Sequence, residues 1–202
     1  MLLYIVRHGE SDWNTKKLFQ GRTDIPLNEK GRKVAYLTKE GLKDTKFDAA
    51  FCSPLKRAKE TALILMEGRD VEVVEENRLI EMSFGCYEGT PMIGNNENVD
   101  NFFKRPELYQ APEDGETIEE IFERGRDFLN ELYANPEYQD STILIATHGA
   151  MLNGLLCVIE DAPVTEYGHA LLKNCSITKV EVTNGIPKIL EKGIILYEES
   201  KI

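Results

Sequence analysis

Two stretches decide the fold: residues 2–9 read LLYIVRHG, and residues 142–149 read TILIATHG. Each is a short apolar run that ends in His-Gly, which predicts a strand followed by a sharp turn. In a parallel sheet the carboxyl ends of the strands share one rim, where ligands usually bind. We therefore expect His8 and His148 to face each other at that rim.

Further apolar runs alternate with segments of helical periodicity, a pattern typical of βα units around a mostly parallel sheet. Asn184-Gly185 predicts a hairpin turn, which makes the last strand antiparallel at an edge. The predicted fold class is α/β, with three α/β/α layers, a mostly parallel central sheet and one antiparallel edge strand. We expect residues 1–202 to form a single domain. The predicted strands are 2–7, 48–52, 71–75, 142–147, 176–182 and 187–192.

Three signals predict where helices begin. Asn28 is a capping residue, Ser53 precedes a proline at the favoured first helical position, and Thr117 opens a capping box. The helix after Thr117 should end near residue 135, where a proline follows.

The irregular stretch 89–115 mixes glycine, asparagine, proline and charged residues. We interpret it as a lid-like excursion over the active face. Its aromatic residues Phe102, Phe103 and Tyr109 either line this lid or anchor it to the domain, and the sequence leaves both open.

The charge balance excludes some partners. The chain has 24 Lys and Arg against 35 Asp and Glu, a formal net charge of −11. Such a surface repels nucleic acids and anionic membranes, so we expect neither as a partner.

The N-terminus reads as a strand without the features of a secretory signal, which favours a cytoplasmic protein. Four cysteines without metal-ligand spacing are expected to be buried, reduced thiols: Cys52, Cys86, Cys157 and Cys175.

Two arginines accompany the two histidines. Arg7 directly precedes His8, and Arg57 falls on the first turn of the helix that follows the strand at 48–52. Two guanidinium groups can hold phosphate oxygens, a neutral imidazole can attack phosphorus, and a second, protonated imidazole can stabilise the oxygens. We therefore predict a phosphoryl site. His169, whose surroundings resemble no site, is expected to be a hydrogen-bonded structural residue.

A metal centre is the competing chemistry for two histidines. It would require a third histidine or a carboxylate at fixed spacing, and the positive charge of Arg7 would oppose a metal ion. No metal is predicted.

The leaving oxygen needs a proton donor, and two carboxylates, Glu81 and Glu88, are candidates that spacing alone does not separate. If Glu81 is partly buried, desolvation would raise its pKa toward the useful range.

Four ordered motifs make the chain resemble the histidine phosphatase superfamily, the phosphoglycerate mutase-like family, over about residues 1–160. They begin at Arg7, Ser53, Glu81 and Thr147 and read RHGE, SPLKRAKETA, EMSFGCYEG and THG. The resemblance implies a phosphohistidine at His8 and makes Glu81, rather than Glu88, the proton donor. It assigns the phosphate pocket or adjoining loop to a further set of residues: Arg7, Asn14, Gln20, Gly21, Arg57 and His148.

The family resemblance leaves two activities. Members often carry a basic residue at the position of Leu18, and glycolytic mutases carry a basic insertion that this chain lacks. We therefore expect a histidine acid phosphatase-type phosphomonoesterase that acts on a small phosphorylated metabolite. A phosphoglycerate mutase is the alternative, and a silent phospho-ligand-binding module is less favoured. No cofactor is expected, except 2,3-bisphosphoglycerate if the protein is a mutase. The oligomeric state stays open, with a homodimer as one alternative.

Overall fold

The computed structural model describes residues 1–94, 96–168 and 172–198. The central sheet has the order β3-β2-β4-β1-β5-β6. In its middle, β1 and β4 pair in parallel, with Leu2 opposite Thr142 and Arg7 opposite Thr147. This register brings the two His-Gly turns to the same level of the rim. The strands are β1 (Leu2–Arg7), β2 (Ala49–Cys52), β3 (Val73–Glu75), β4 (Thr142–Thr147), β5 (Ile177–Thr183) and β6 (Ile186–Ile194).

The sheet is mostly parallel with an antiparallel edge, as predicted. The hairpin turn occurs at Asn184 and Gly185, which both have positive φ, and β6 forms the edge. The ladder between β5 and β1 is also antiparallel, so this side of the sheet has two antiparallel ladders. The hairpin pattern predicted only the outer one, because it carries no information on which strand receives β5.

Helices cover both faces of the sheet. Alternate residues of β1 point to opposite sides: Leu3 and Ile5 join one apolar core, whereas Tyr4 and Val6 join another. The first core includes residues of α5 and α6, and the second includes residues of α3, against which α2 packs. The predicted three layers are therefore confirmed. The helices are α1 (Asp12–Thr15), α2 (Glu29–Gly41), α3 (Lys56–Met66), α4 (Glu97–Lys104), α5 (Ile118–Ala134) and α6 (Gly149–Glu160).

Two of the three predicted helix starts are confirmed. Asn28 accepts a hydrogen bond from the N–H of Gly31, and Thr117 forms a capping box with Glu120. The prediction for Ser53 is wrong: α3 begins at Lys56, and its N-cap is Leu55. The backbone is still extended at Leu55, with φ of −67° and ψ of 136°, so the chain turns helical only after it.

Three cysteines are buried, as predicted, but Cys86 is exposed. It lies in a single 3-10 turn, Gly85–Tyr87, that has no buried residue. None of the helices in the described ranges is long and apolar enough to cross a bilayer.

Candidate active site

His8 follows the last residue of β1 and is only 2% exposed. Its Nδ1 lies 2.6 Å from the carbonyl oxygen of Gly9. A carbonyl oxygen only accepts hydrogen bonds, so Nδ1 carries the proton and Nε2 keeps its lone pair. Burial, together with the positive charges of Arg57 and Arg7, lowers the pKa of His8 well below 6.5. The imidazole is therefore neutral at pH 7, which is the form that attacks phosphorus.

His148 follows β4, and its ring centroid lies 5.1 Å from that of His8. Nδ1 of His148 accepts a hydrogen bond from Nε of Arg57 at 3.1 Å, and Nε2 lies 2.7 Å from Oγ of Ser53. Burial and the charge of Arg57 lower the pKa of His148 well below 6.5. In this structure His148 is thus neutral, whereas the sequence led us to expect a protonated second imidazole.

Arg57 is fully buried on the first turn of α3. Besides His148, its guanidinium binds the carbonyl oxygens of Gly21 at 2.7 Å and Thr23 at 2.9 Å. Burial lowers its pKa to about 10, so it stays charged at pH 7. The hydroxyl of Thr61, one turn further along α3, accepts a hydrogen bond from the N–H of Gly9 and ties the two segments together.

Arg7 has a partly unsatisfied guanidinium. Nη1 donates to the carbonyl of Leu172, but Nε is buried without a partner in the part of the chain that the structure describes. A Cβ atom added at Gly149 would lie 3.6 Å from this Nε, so a glycine there leaves space beside the guanidinium. Burial lowers the pKa of Arg7, and the negative charge of Glu81 opposes that shift. An anion placed here would satisfy Nε.

Glu81 is 7% exposed and sits at the N-terminus of α6. Oε1 accepts hydrogen bonds from the N–H groups of Met82 at 3.0 Å and Met151 at 2.9 Å, and Oε2 accepts one from Ala150 at 3.3 Å. These donors hold the carboxyl group in one place, in the same cavity as His8.

The other candidate donor, Glu88, has a structural task. It accepts hydrogen bonds from the N–H groups of Arg22, Thr23 and Phe84 and from the hydroxyl of Thr23. It therefore fixes the loop whose carbonyl oxygens hold Arg57, and it does not line the cavity. Gly21 has φ of +51°, and a Cβ atom there would lie 2.0 Å from a Glu88 oxygen, so the loop requires glycine.

The remaining predicted site residues lie on α1 and on the loop that follows it. Gln20 accepts a hydrogen bond from the buried hydroxyl of Ser11 at 2.6 Å, and the side-chain oxygen of Asn14 accepts one from the backbone N–H of Ser11 at 3.0 Å. Both line the cavity with Arg7 and Gly21. Their side chains are thus fixed before any ligand binds.

The cavity, of about 100 Å³, has two chemically different ends. One end contains His8, Arg7 and Glu81; Arg57 and His148 are fully buried behind it. The other end is apolar, and its lining comes from the loop after α1, the excursion and residues 84 and 172: Leu18, Phe19, Phe84, Met92, Phe102, Phe103 and Leu172.

The excursion at 89–115 serves both of the purposes that the sequence left open. It is joined to the loop after α1 by hydrogen bonds from Phe19 N to Thr90 O and from Met92 N to Lys17 O. Phe102 is 6% exposed and its ring lies near five aromatic rings of the described residues, so it is an anchor as well as part of the cavity wall. Phe103 is half-buried and lines the cavity.

Three supporting residues were missed by the sequence reasoning. For Ser53 the sequence predicts a helix cap, and Thr61 enters only as part of the motif SPLKRAKETA. Glu116 forms a bidentate ion pair with Arg124, binds Arg22 at 2.8 Å and accepts a hydrogen bond from the N–H of Ser83. No local pattern marks these roles, because each partner lies on a different segment.

Two further predictions concern histidines and metals. His169 lies outside the described residues. Within the described ranges, no group of three or more His, Cys, Asp or Glu side chains is arranged to hold a metal ion. The prediction of a metal-independent site stays a prediction.

The chain is similar to known proteins over most of its length. It is 36% identical over 178 residues to the uncharacterized phosphatase PhoE of Bacillus subtilis, covering 88% of this chain and 86% of that protein. It is 31% identical over 184 residues to the probable phosphoglycerate mutase GpmB of Erwinia tasmaniensis, covering 89% and 84%. The solved structure of YhfR from Bacillus stearothermophilus superposes with a TM-score of 0.87 at 31% identity, covering 95% and 96%.

A family model matches residues 3–194. The matched range contains the residues placed around the cavity: the two His-Gly turns, the arginine on α3 and the glutamate whose carboxylate binds N–H groups of α6. The chain belongs to the histidine phosphatase superfamily (branch 1), and it is an enzyme of the phosphatase or mutase type.

Proposed function

We propose that the protein is a phosphomonoesterase that hydrolyses a small phosphorylated metabolite through a phosphohistidine at His8. The observation that carries this proposal is the state of His8: a neutral imidazole with Nε2 unprotonated, in one cavity with Arg7 and Glu81. Arg57 and His148 support the site from behind, and Asn14, Gln20 and Gly21 complete its wall.

In the first step Nε2 of His8 attacks the phosphorus atom. The Nε2–P bond forms, the bond from phosphorus to the leaving oxygen breaks, and Glu81 gives its proton to that oxygen. The hydrogen bond from Nδ1 of His8 to the Gly9 carbonyl keeps the ring in the attacking tautomer. Arg7, whose Nε has no partner among the described residues, neutralises charge on the equatorial oxygens.

In the second step water attacks the phosphohistidine. Glu81 takes a proton from the water, the new O–P bond forms, and the N–P bond returns its electron pair to Nε2. Inorganic phosphate leaves and Glu81 is protonated again. The arginines supply the positive charge that a metal ion would otherwise supply, so activity should persist in a chelating agent such as EDTA.

Mutase activity is the second candidate, favoured by the similarity to a probable phosphoglycerate mutase. A mutase must bind a second anionic group during phosphoryl transfer between two oxygens. Among the described residues that line the cavity, Arg7 is the one cation, and Leu18 stands where a second cation would help. This lining supports hydrolysis.

The test measures both products. Purified enzyme is given 3-phosphoglycerate with and without 2,3-bisphosphoglycerate, and 2-phosphoglycerate and inorganic phosphate are quantified. Hydrolysis predicts that phosphate release accounts for nearly all turnover in both cases. Isomerisation that exceeds phosphate release by a large factor would establish the mutase instead.

The covalent step has its own test. Rapid acid-free quenching of enzyme with a ³²P-labelled phosphomonoester should trap an alkali-stable phosphoenzyme, and His8→Ala should abolish both labelling and turnover. Retained turnover in His8→Ala would refute the phosphohistidine mechanism. A wild-type enzyme that binds phosphomonoesters but never releases phosphate would indicate the silent binding module.

A further inference from the structure

Ser53 is a fully buried residue between β2 and α3 that the proposed reaction does not use. Its Oγ lies 2.7 Å from Nε2 of His148 and accepts a weaker hydrogen bond, at 3.3 Å, from the N–H of Leu55. The hydroxyl therefore joins the start of the Arg57 helix to the second histidine of the site.

The partners of His148 determine its tautomer. Arg57 Nε is always protonated and only donates, so Nδ1 of His148, at 3.1 Å, must accept. A neutral imidazole has one N–H, which is therefore on Nε2 and donates to Ser53. Both ring nitrogens are satisfied only in this arrangement.

We propose that Ser53 is a positioning residue that holds His148 as the Nε2–H tautomer, so that Nδ1 keeps its lone pair for the N–H of Arg57. This inference rests on the proposed function, because Arg57 lies behind the site at which the phosphate is proposed to bind. The tautomer fixes the direction of the guanidinium, whose other N–H groups bind the carbonyl oxygens of Gly21 and Thr23.

Loss of the hydroxyl leaves two poor alternatives. With alanine at position 53, the Nε2–H of a fully buried ring loses its acceptor. The other tautomer would direct an Nδ1–H at the N–H of Arg57, and both groups are donors. In either case the ring or the guanidinium must move, and the effect reaches Gly21 and Thr23, whose carbonyls Arg57 binds.

The test uses two substitutions and one control. Ser53→Ala should lower kcat roughly 10- to 100-fold, the effect of one lost buried hydrogen bond to a site group, and Ser53→Thr, which keeps the hydroxyl, should recover most of it. The control is Thr178→Val: Thr178 is also buried, and its hydroxyl has no partner among the described residues. The control should keep the wild-type kcat.

A spectroscopic readout separates positioning from general stability. In ¹⁵N NMR of the wild-type protein at pH 7.5, the His148 signals should report protonated Nε2 and unprotonated Nδ1. In Ser53→Ala the preference for this tautomer should be lost, and Ser53→Thr should restore it.

Three results would overturn the inference. They are an Nδ1–H tautomer of His148 in the wild-type protein, a Ser53→Ala variant with the wild-type NMR pattern, or a Ser53→Ala variant whose kcat is within twofold of wild type. The first needs no variant, so the inference stays testable even if Ser53→Ala does not fold. If no phosphomonoester is hydrolysed but the wild-type tautomer is as stated, the proposed function fails while the tautomer assignment stands.

Discussion

The two ends of the cavity are built in different ways. At the end with His8, Arg7 and Glu81, which we call the phosphate end after its proposed ligand, His8 and Glu81 and the His148 and Arg57 behind them are each held by hydrogen bonds to backbone or buried side chains from several segments. At the apolar end, aromatic rings pack against one another, as Phe103 does against Phe19 and Phe102. Hydrogen bonds fix position within a few tenths of an ångström, whereas apolar packing tolerates changes of shape. The chemistry of this enzyme should therefore be sensitive to substitution, and its choice of leaving group should be adaptable.

The largest expected effect contrasts Glu81, in the phosphate end, with Glu88, which lies outside the cavity. Glu81→Gln keeps the shape of the side chain but cannot transfer a proton, so kcat should fall about 10²- to 10⁴-fold. Glu88→Gln should keep kcat within about tenfold and lower the melting temperature, because an amide cannot accept all of the hydrogen bonds that Glu88 receives from Arg22, Thr23 and Phe84. Phosphatase assays and thermal unfolding measure both. Equal losses of kcat in the two variants would contradict the assignment of the donor.

The next effect contrasts two adjacent rings of the apolar end. Phe102→Ala removes the buried anchor and should lower the free energy of unfolding by about 3 kcal/mol. Phe103→Ala removes a half-buried ring that lines the cavity, and should raise KM several-fold while changing stability by less than about 1 kcal/mol. Urea unfolding and steady-state kinetics with benzyl phosphate distinguish them. If the two variants lose the same stability, the division into anchor and lining is wrong.

The histidines of the phosphate end make stability depend on pH. Their pKa values lie well below 6.5 in the folded protein, so between those values and 6.5 the unfolded chain binds more protons. The free energy of unfolding should therefore fall as pH decreases through 6.5, by up to about 1.4 kcal/mol per pH unit for each histidine. Urea titrations at pH 7.5, 6.5 and 5.5 measure the slope. His8→Asn should reduce it, and an unchanged slope in this variant would show that His8 does not contribute.

The same pKa shift has a kinetic consequence. Because His8 stays neutral as the pH falls from 7.5 to 6, kcat/KM should show no decline that titrates near 6.5 on account of the nucleophile. A pH profile between 5 and 8 provides the measurement. An acid limb centred at 6.5 that coincides with protonation of the His8 ring in an NMR titration would contradict the buried, neutral state of His8.

The sequence predicted the phosphate end better than the apolar end, for a physical reason. His8, His148 and Arg57 each follow a strand, and parallel strands in register bring such residues to one rim. The apolar end forms where residues 17–19 meet residues 89–92, and that pairing is a single bridge between segments about 70 residues apart. Ser53 shows a different limit. A serine before a proline is typical of a helix start, and only tertiary structure shows that its hydroxyl is committed to His148.

The smallest predicted effect comes from a substitution that adds a positive charge, such as the phosphate end carries, to the apolar end. Leu18 lines the cavity and pairs with Pro91 of the excursion. Leu18→Arg introduces a partly exposed cation, which should lower KM for 3-phosphoglycerate about two- to fivefold and leave KM for benzyl phosphate unchanged or higher. Both substrates release a primary alcohol, so the two KM values are compared for the same type of leaving group. Leu18→Met changes the shape of the side chain without adding charge, and it should alter neither of the two KM values. If Leu18→Met shifts the preference as much as Leu18→Arg does, packing rather than charge governs this end of the cavity.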